Sequence, residues 1–292
     1  MRVLLLGASG FIGRSIAAKV PETIELTGTY YQNKPEFEHI KLEQFDYLDS
    51  GIDWQQIVLQ YDCIIVAARA NAETEVDRSK VSKEAQSAFA NLTQAVHESE
   101  SKPFIVAVNG SLSYGHRGED LVKISDTIDP TGFARSYSIA EKPFREFLRA
   151  GHEIAIIRAP WVIGLGSWFS LMYLKPNRVP IIKDGKQWMS LVSVGGLADY
   201  VWQVVESSKS GVLHPELTYR CRQKEFANIV KNITSKQTRT IGGIKRMRME
   251  KQMRESVLAS IKLDDGMGMV SENQGAERRL IAIVEEIYSG FS

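Results

Sequence analysis

The sequence is poor in cysteine, in long apolar runs and in net charge. Its 292 residues include two cysteines, Cys63 and Cys221, which are too far apart to form a metal-ligand pair. The sequence therefore predicts no metal site, and a reducing cytoplasm is the simplest location. No stretch approaches the roughly 20 apolar residues of a membrane span, and the apolar N-terminus is too short for a signal peptide.

The charge balance argues against nucleic acid as an obligatory partner. The formal net charge is +1, and the contents of hydrophobic residues (43%) and charged residues (24%) are those of a soluble globular protein. The length fits one large or two small domains with a sizeable core. We therefore expect a small-molecule partner, neither nucleic acid nor membrane, and leave a homodimer open.

The most informative stretch that is present is VLLLGASGFIGR, residues 3–14. Its apolar run predicts a buried strand, and Phe11–Val20 predicts the helix that follows. Glycines between a strand and a helix let the backbone approach a pyrophosphate, and the helix N-terminus adds N–H donors. We predict a dinucleotide site here, formed by Gly7, Ser9, Gly10, Phe11, Ile12, Gly13 and Arg14.

Strand-like and helix-like segments alternate over the first 160 residues, which predicts a doubly wound parallel sheet. The predicted strands are Ile24–Tyr30, Ile40–Phe45, Asp62–Ala67, Phe104–Val108 and Ile154–Ile157; the predicted helices are Trp54–Gln60, Arg78–Glu98 and one through Phe144 and Leu148. We expect a Rossmann-type α/β domain at 1–160, rejoined by 190–210. Residues 161–292 are expected to be mainly a smaller substrate-binding region, with helices predominating after Leu213.

The glycine turn resembles the GxxGxxG of extended short-chain dehydrogenases and NAD-dependent epimerases. Segments that resemble the same family follow in order, at Ser111–Gly115, Arg158–Gly164 and Leu191–Val194. The resemblance implies an NAD(P)-dependent oxidoreductase or epimerase that acts on a carbonyl or carbinol. Its substrate would be a sugar nucleotide or a secondary metabolite.

The predicted cofactor is NADP, with NAD left open. NAD sites place an acid after the second strand, but here that strand is followed by Tyr31, Gln32, Asn33 and Lys34. Lys34, Asn33 or Arg14 could bind a 2′-phosphate through charge-assisted contacts. The resemblance further implies cofactor contacts from Asp46, Tyr47, Ala67 and Ala68.

The resemblance also implies a catalytic serine, tyrosine and lysine. Ser111 is the best candidate for the serine that binds the reacting oxygen, ahead of Ser113. In the family a tyrosine moves the proton, and a lysine four residues later holds the ribose and lowers the tyrosine pKa. Tyr137 is the candidate acid/base, but its fourth following residue is Glu141, and Lys142 is the fifth.

Three interpretations of this altered spacing stay open. A local bulge could bring Tyr137 and Lys142 to the cofactor together, or Tyr137 could act without its lysine. Alternatively, the protein binds a dinucleotide without the family's chemistry, as a regulatory or partner protein, or as a non-redox enzyme. Pro143 predicts that the helix begins late, because proline fits only the first turn of a helix.

The region after residue 160 offers two features that suit an anionic or flat substrate. One is a basic run between residues 220 and 254, and the other is a set of aromatic residues, Trp161, Trp168, Phe169, Tyr173 and Trp188. Both have plain structural alternatives, a solvated helix face for the first and an apolar core for the second.

Overall fold

The computed structural model describes residues 1–69, 72–243, 247–266 and 274–290. The strands are β1 (Arg2–Leu6), β2 (Glu25–Tyr30), β3 (Lys41–Gln44), β4 (Cys63–Val66), β5 (Phe104–Gly110), β6 (Leu121–Val122), β7 (Ile154–Ala159), β8 (Trp161–Ile163), β9 (Arg178–Ile182), β10 (Trp188–Ser193), β11 (Gly211–Leu213), β12 (Tyr219–Arg222), β13 (Gln237–Ile241) and β14 (Lys262–Leu263). The α-helices are α1 (Phe11–Ala18), α2 (Trp54–Val58), α3 (Glu75–Glu98), α4 (Ala134–Arg149), α5 (Trp168–Leu174), α6 (Val194–Ser207), α7 (Gln223–Thr234), α8 (Lys251–Leu258) and α9 (Gln274–Ser289).

A seven-stranded parallel sheet in the order β11-β7-β5-β4-β1-β2-β3 organises the first part of the chain. β1 lies between β2 and β4, with Leu4 opposite Thr27 on one side and Ile64 on the other. This order confirms the predicted Rossmann-type sheet. The strand order reverses between β1 and β4, and ligands of such sheets bind beyond the carboxyl ends of the strands at that point.

The chain divides into two compact units, and the sheet forms the first of them. The first unit comprises Met1–Asn109, Arg135–Arg158 and Ala198–Leu213. Apolar strand residues such as Leu6, Ile64 and Ile105 are completely buried in its core together with residues of α3 and α4. Burial of each such side chain stabilises the fold by roughly 1.5–3 kcal/mol, which is why these short apolar runs become central strands.

The second unit comprises Gly110–Ala134, Ala159–Leu197 and His214–Ser292, of which the described residues form small sheets and helices. β10 pairs antiparallel with β12 and parallel with β8, while β9 pairs with β13 and β6 with β14. Its core includes side chains from α5, α7 and α9. The short strands β12, β13 and β14 were not predicted, because the charge and helical spacing of this region conceal them.

Helix α4 corrects one prediction from the sequence. It begins at Ala134, so that Pro143 lies inside the helix rather than in its first turn. Pro143 removes one backbone N–H from the helix, but it is itself buried, and Phe144 packs into the core of the first unit. Packing of the apolar face therefore outweighs the local cost of the proline.

Candidate functional site

The glycine turn after β1 is a tight backbone loop in which Gly7 and Gly13 have no room for side chains. Gly7 has φ +92°, and a Cβ there would lie 2.7 Å from the Cα of Ala68. A Cβ on Gly13 would lie 2.0 Å from the carbonyl oxygen of Gly7. The turn therefore fits closely against the end of β4, the neighbour of β1 at the point where the strand order reverses.

Helix α1 opens at this turn with its backbone donors facing outward from the helix. Gly10 is the N-cap and provides no side-chain hydrogen bond, and the first bond within the helix runs from the N–H of Arg14 to the Gly10 carbonyl at 2.8 Å. The preceding N–H groups need acceptors from outside the helix, which is how helix N-termini bind phosphates. The residues of the turn thus fit a dinucleotide pyrophosphate.

Other residues predicted to contact the cofactor lie beside this turn, after β2 or, in the case of Asp46, after β3. Arg14 is exposed, and its Nε donates to the carbonyl of Ser9 at 3.0 Å. Tyr31 is 55% exposed, and Lys34 is exposed as well. The Asp46 carboxylate accepts from the N–H of Leu48 at 3.0 Å, which leaves its second oxygen for another donor.

A cavity of about 50 Å³ in the first unit brings three of the predicted residues together. Tyr47 and Ala68, predicted to contact the cofactor, line it with Tyr137, the predicted acid/base. Ala67 precedes Ala68 directly and donates its N–H to the carbonyl of Leu6 at 3.0 Å. The remaining lining residues come mainly from α3, α4 and the ends of β4 and β5: Val66, Arg69, Ser82, Ala85, Phe89, Ala107, Val108, Asn109, Ala140, Glu141 and Phe144.

The structure places Glu141 beside Tyr137, and it places Lys142 elsewhere. Residues four apart share one face of a helix, so Glu141 lines the cavity with Tyr137. Lys142 is turned to solvent, with its side chain 54% exposed and its Nζ 3.3 Å from Glu146. Because α4 is continuous from Ala134 to Arg149, no bulge brings Lys142 round to the cavity.

Glu141 is held by two arginines. Its carboxylate is fully buried and accepts hydrogen bonds from Nη1 and Nη2 of Arg158, the latter at 2.6 Å. Nη1 of Arg145 binds the same carboxylate at 2.9 Å. Arg158 stands in β7, all six residues of which are buried. This bidentate pair satisfies a charge that would otherwise be very costly to bury.

Sequence reasoning missed Arg69, which follows the predicted Ala67-Ala68 pair. Its guanidinium carbon lies 4.6 Å from the centroid of the Tyr137 ring, a cation–π distance. Although the residue keeps exposed surface, desolvation lowers the pKa of Arg69, and Tyr137 acts in the opposite direction. The available signal for Arg69 was a charged residue directly after a pair predicted to line the cofactor cleft. The available signal for Arg158 was an arginine within an otherwise apolar strand.

Ser111 begins a short 3-10 helix, Ser111–Tyr114, directly after β5. It is 6% exposed, and Ser113 is completely buried. Tyr114 is hydrogen bonded to His214, with Oη and Nε2 2.7 Å apart. This part of the second unit is thus a buried, hydrogen-bonded turn.

The predicted substrate features of the second unit have structural partners. Trp161 stacks on Phe169 at 4.7 Å between ring centroids, and Phe169 and Tyr173 belong to the core. The Trp188 ring contacts two cations, with its centroid 4.0 Å from the guanidinium carbon of Arg222 and 4.5 Å from Nζ of Lys262. Within the basic run, Lys245 and Arg246 lie outside the described residues.

Neither a metal centre nor a membrane span is found in the described ranges. These contain no group of three or more His, Cys, Asp or Glu side chains that could hold a metal ion. None of their helices has the length and apolar character required to cross a bilayer. Cys63 and Cys221 are buried free cysteines, and desolvation raises the pKa of Cys63 to about 12.

Comparison with known proteins places the chain in a family. None of the curated proteins matches its sequence. Among solved structures, it is similar to human epimerase family protein SDR39U1 (isoform 2) with NADPH, with 18% identity, TM-score 0.76 and 99% of each chain covered. It is also similar to UDP-N-acetylglucosamine 4-epimerase from Methanobrevibacter ruminantium M1 in complex with UDP-N-acetylmuramic acid, with 16% identity, TM-score 0.74 and coverage of 99% of this chain and 97% of the other.

A third similar structure is DesIV, a dTDP-glucose 4,6-dehydratase from Streptomyces venezuelae with NAD and TYD bound, with 18% identity, TM-score 0.72 and coverage of 99% and 97%. At these identities the structures show a shared fold. The family model of the NAD-dependent epimerase/dehydratase family matches residues 3–216, from β1 past the end of the parallel sheet. The chain therefore belongs to the NAD-dependent epimerase/dehydratase family.

Proposed function

We propose that this protein is an NADP-dependent enzyme, with NAD as the second option, that oxidises, reduces or epimerises a carbinol or carbonyl carbon. The observation that carries the proposal is the glycine turn against β4, where a Cβ on Gly13 would meet the Gly7 carbonyl at 2.0 Å. Such close backbone packing at the start of a helix suits a bound pyrophosphate. The protein would act in the cytoplasm, alone or as a homodimer.

The preference for NADP rests on the charges after β2. Lys34 is exposed there, no acid follows the strand directly, and Arg14 is exposed at the start of α1. Cations at these positions would bind a 2′-phosphate more strongly than a 2′-hydroxyl, because only the phosphate carries a charge opposite to theirs. The human relative in the comparison was solved with NADPH, and other family structures were solved with NAD.

The proposed substrate is a sugar nucleotide or a related anionic metabolite. The similar structures include complexes with UDP-N-acetylmuramic acid and with UDP-glucose. Exposed basic residues of the second unit, among them Lys224, Lys231 and Arg239, would attract the phosphates of such a ligand.

In this proposal Tyr137 moves the proton and Ser111 binds the reacting oxygen. A bound nicotinamide supplies the hydride acceptor or donor. Tyr137 is 8% exposed, so its phenol exchanges protons in a site with little water, where hydrogen bonds and charges act strongly. Lys142 has no part in the proposed chemistry, because it is exposed and pairs with Glu146.

The test combines binding with turnover. Calorimetry should show NADPH binding more tightly than NADH, and Lys34→Ala should reduce that difference while Lys41→Ala, an exposed lysine of β3, should not. UDP- and dTDP-linked 4-keto sugars are then screened with NADPH deuterated at the reactive carbon, since a carbonyl carbon accepts that hydride. The corresponding alcohols, deuterated at the carbinol carbon, are screened with NADP⁺, which accepts a hydride from them. Transfer of deuterium to a keto sugar or to NADP⁺, or inversion of the labelled carbon, supports the proposal if its rate is reduced at least about tenfold by Tyr137→Phe but not by Tyr200→Phe.

A second candidate is a dinucleotide-binding protein without redox turnover. The observation that favours it is Glu141, which is bound to Arg158 at the position where the family has its lysine. It predicts NADPH binding with no deuterium transfer in either direction and no inversion of a labelled carbon. Product formation that leaves the labelled C–D bond and its configuration intact, with no change in nicotinamide absorbance, would instead indicate a non-redox enzyme.

A further inference from the structure

The charges around Tyr137 differ from those that the family resemblance implies. A lysine is expected one helical turn after the tyrosine, and Glu141 stands there instead. A lone carboxylate at that position would disfavour the phenolate and raise the tyrosine pKa. The surroundings of Glu141 decide whether this happens.

Two arginines neutralise Glu141. Arg158 of β7 binds both of its oxygens, and Arg145 of α4 binds one of them at 2.9 Å. The buried carboxylate therefore faces two guanidinium groups. Its repulsion of a phenolate is offset before any other charge is considered.

Arg69 adds a third guanidinium, directly over the tyrosine ring. The segment after β4 carries it to 4.6 Å from the ring centroid. At this distance the cation interacts favourably with a negative charge on the Tyr137 phenol, and the same interaction acts to raise the pKa of Arg69. A cation over an aromatic face also restricts the orientation of the ring.

Two further ionisable groups interact electrostatically with Arg69, and they belong to other parts of the fold. Arg78 of α3 is buried and donates to the backbone carbonyls of Ala72 and Glu73, and Tyr47 follows β3 and lines the same cavity. Electrostatically, Arg78 disfavours the charge on Arg69, and Tyr47 and Tyr137 favour it. The described groups around Tyr137 thus include one carboxylate and several guanidinium groups.

We propose that Arg69 is a positioning residue that favours the phenolate form of Tyr137 and orients its ring, in place of a lysine at position 141. The inference deepens the proposed function. It rests on that function only in assigning proton transfer to Tyr137, whereas the effect of Arg69 on the ionisation of Tyr137 does not depend on it. Arg69 acts through Tyr137.

The test measures ionisation of Tyr137 without substrate or cofactor. Tyrosine labelled with ¹³C at the phenolic carbon is titrated by NMR in the full chain, and Tyr137→Phe assigns the signal. In Arg69→Gln the Tyr137 midpoint should rise by at least about one pH unit, since the cation is lost. Arg149→Gln removes an exposed charge from the same helix and is the matched control; it should leave the midpoint within about 0.3 units.

Arg69→Lys separates charge from a merely structural role. A lysine keeps the positive charge, so it should restore most of the shift, whereas a packing role would leave Lys and Gln alike. An unchanged midpoint in Arg69→Gln, or equal shifts in the Gln and Lys variants, overturns the inference. Because the titration needs no turnover, absence of both deuterium transfer and inversion refutes the proposed function alone, and an unmoved midpoint refutes this inference alone.

Discussion

Removal of Arg158 should destabilise the first unit strongly. The Glu141 carboxylate is completely buried, and the Arg158 side chain is 1% exposed. Arg158→Met keeps the apolar volume of the side chain but removes one of the two arginines that bind the carboxylate. The other, Arg145, stays, and its side chain is 18% exposed. Breaking a buried ion pair from one side costs about 3–5 kcal/mol, and the remaining contact places this case near 3 kcal/mol.

The assay is urea unfolding followed by tryptophan fluorescence and circular dichroism. Trp54 and Trp202 are buried in the first unit and report on it. With a slope of about 3 kcal/mol per molar, a loss of about 3 kcal/mol moves the urea midpoint down by about 1 M. Arg149→Met, at an exposed position of α4, is the control and should change the free energy of unfolding by less than about 0.5 kcal/mol.

A double variant completes this prediction. Glu141→Leu combined with Arg158→Met removes both charges, and it should recover most of the lost stability, because replacement of a whole buried ion pair by apolar side chains is often close to neutral. The reasoning is wrong if the single variant loses less than about 1 kcal/mol, or if the double variant is as unstable as the single one.

Three further predictions follow from other parts of the structure. Gly13→Ala should weaken NADPH binding at least about tenfold in calorimetry, since the new Cβ meets the Gly7 carbonyl. Gly242→Ala places its Cβ in open space and should leave the affinity unchanged, so equal affinities of the two variants would contradict the proposed site. Lys142→Met should leave NADPH affinity within about twofold, and a larger loss would return this lysine to the site. Glu119 should titrate near pH 2 by NMR, because hydrogen bonds from Arg222 and Trp188 lower its pKa from 4.5 to about 2. Its contribution to stability is present above about pH 4.5 and is lost as the pH falls toward 2. Arg222→Gln should return the midpoint toward 4.5.

The elements that the sequence predicts well are those whose signal is local. Val3–Leu6 is an unbroken apolar run ending at a glycine, and the structure has a strand there from Arg2 to Leu6. The strand at Cys63–Val66 is apolar throughout, as a strand buried on both faces must be. The alternation of strands and helices then predicts a parallel, doubly wound sheet, and the structure supplies the order of its strands.

The parts that sequence reasoning could not reach depend on contacts between distant residues. Helical spacing places Glu141 beside Tyr137, but nothing local indicates that Arg158, 17 positions later on β7, neutralises it. The approach of Arg69 to the Tyr137 ring likewise depends on the packing of α4 against the ends of the strands. Pro143 misled the prediction of the helix start, because a rule on local backbone geometry was outweighed by packing.

The most direct test of the account is a crystal structure of the protein with NADPH. We predict that the pyrophosphate oxygens accept hydrogen bonds from the backbone N–H groups of Phe11 and Ile12 at the start of α1. We further predict that the nicotinamide ribose lies beside Tyr137 with Lys142 still paired to Glu146. A cofactor bound away from the glycine turn, or with its ribose held by Lys142, would contradict the account.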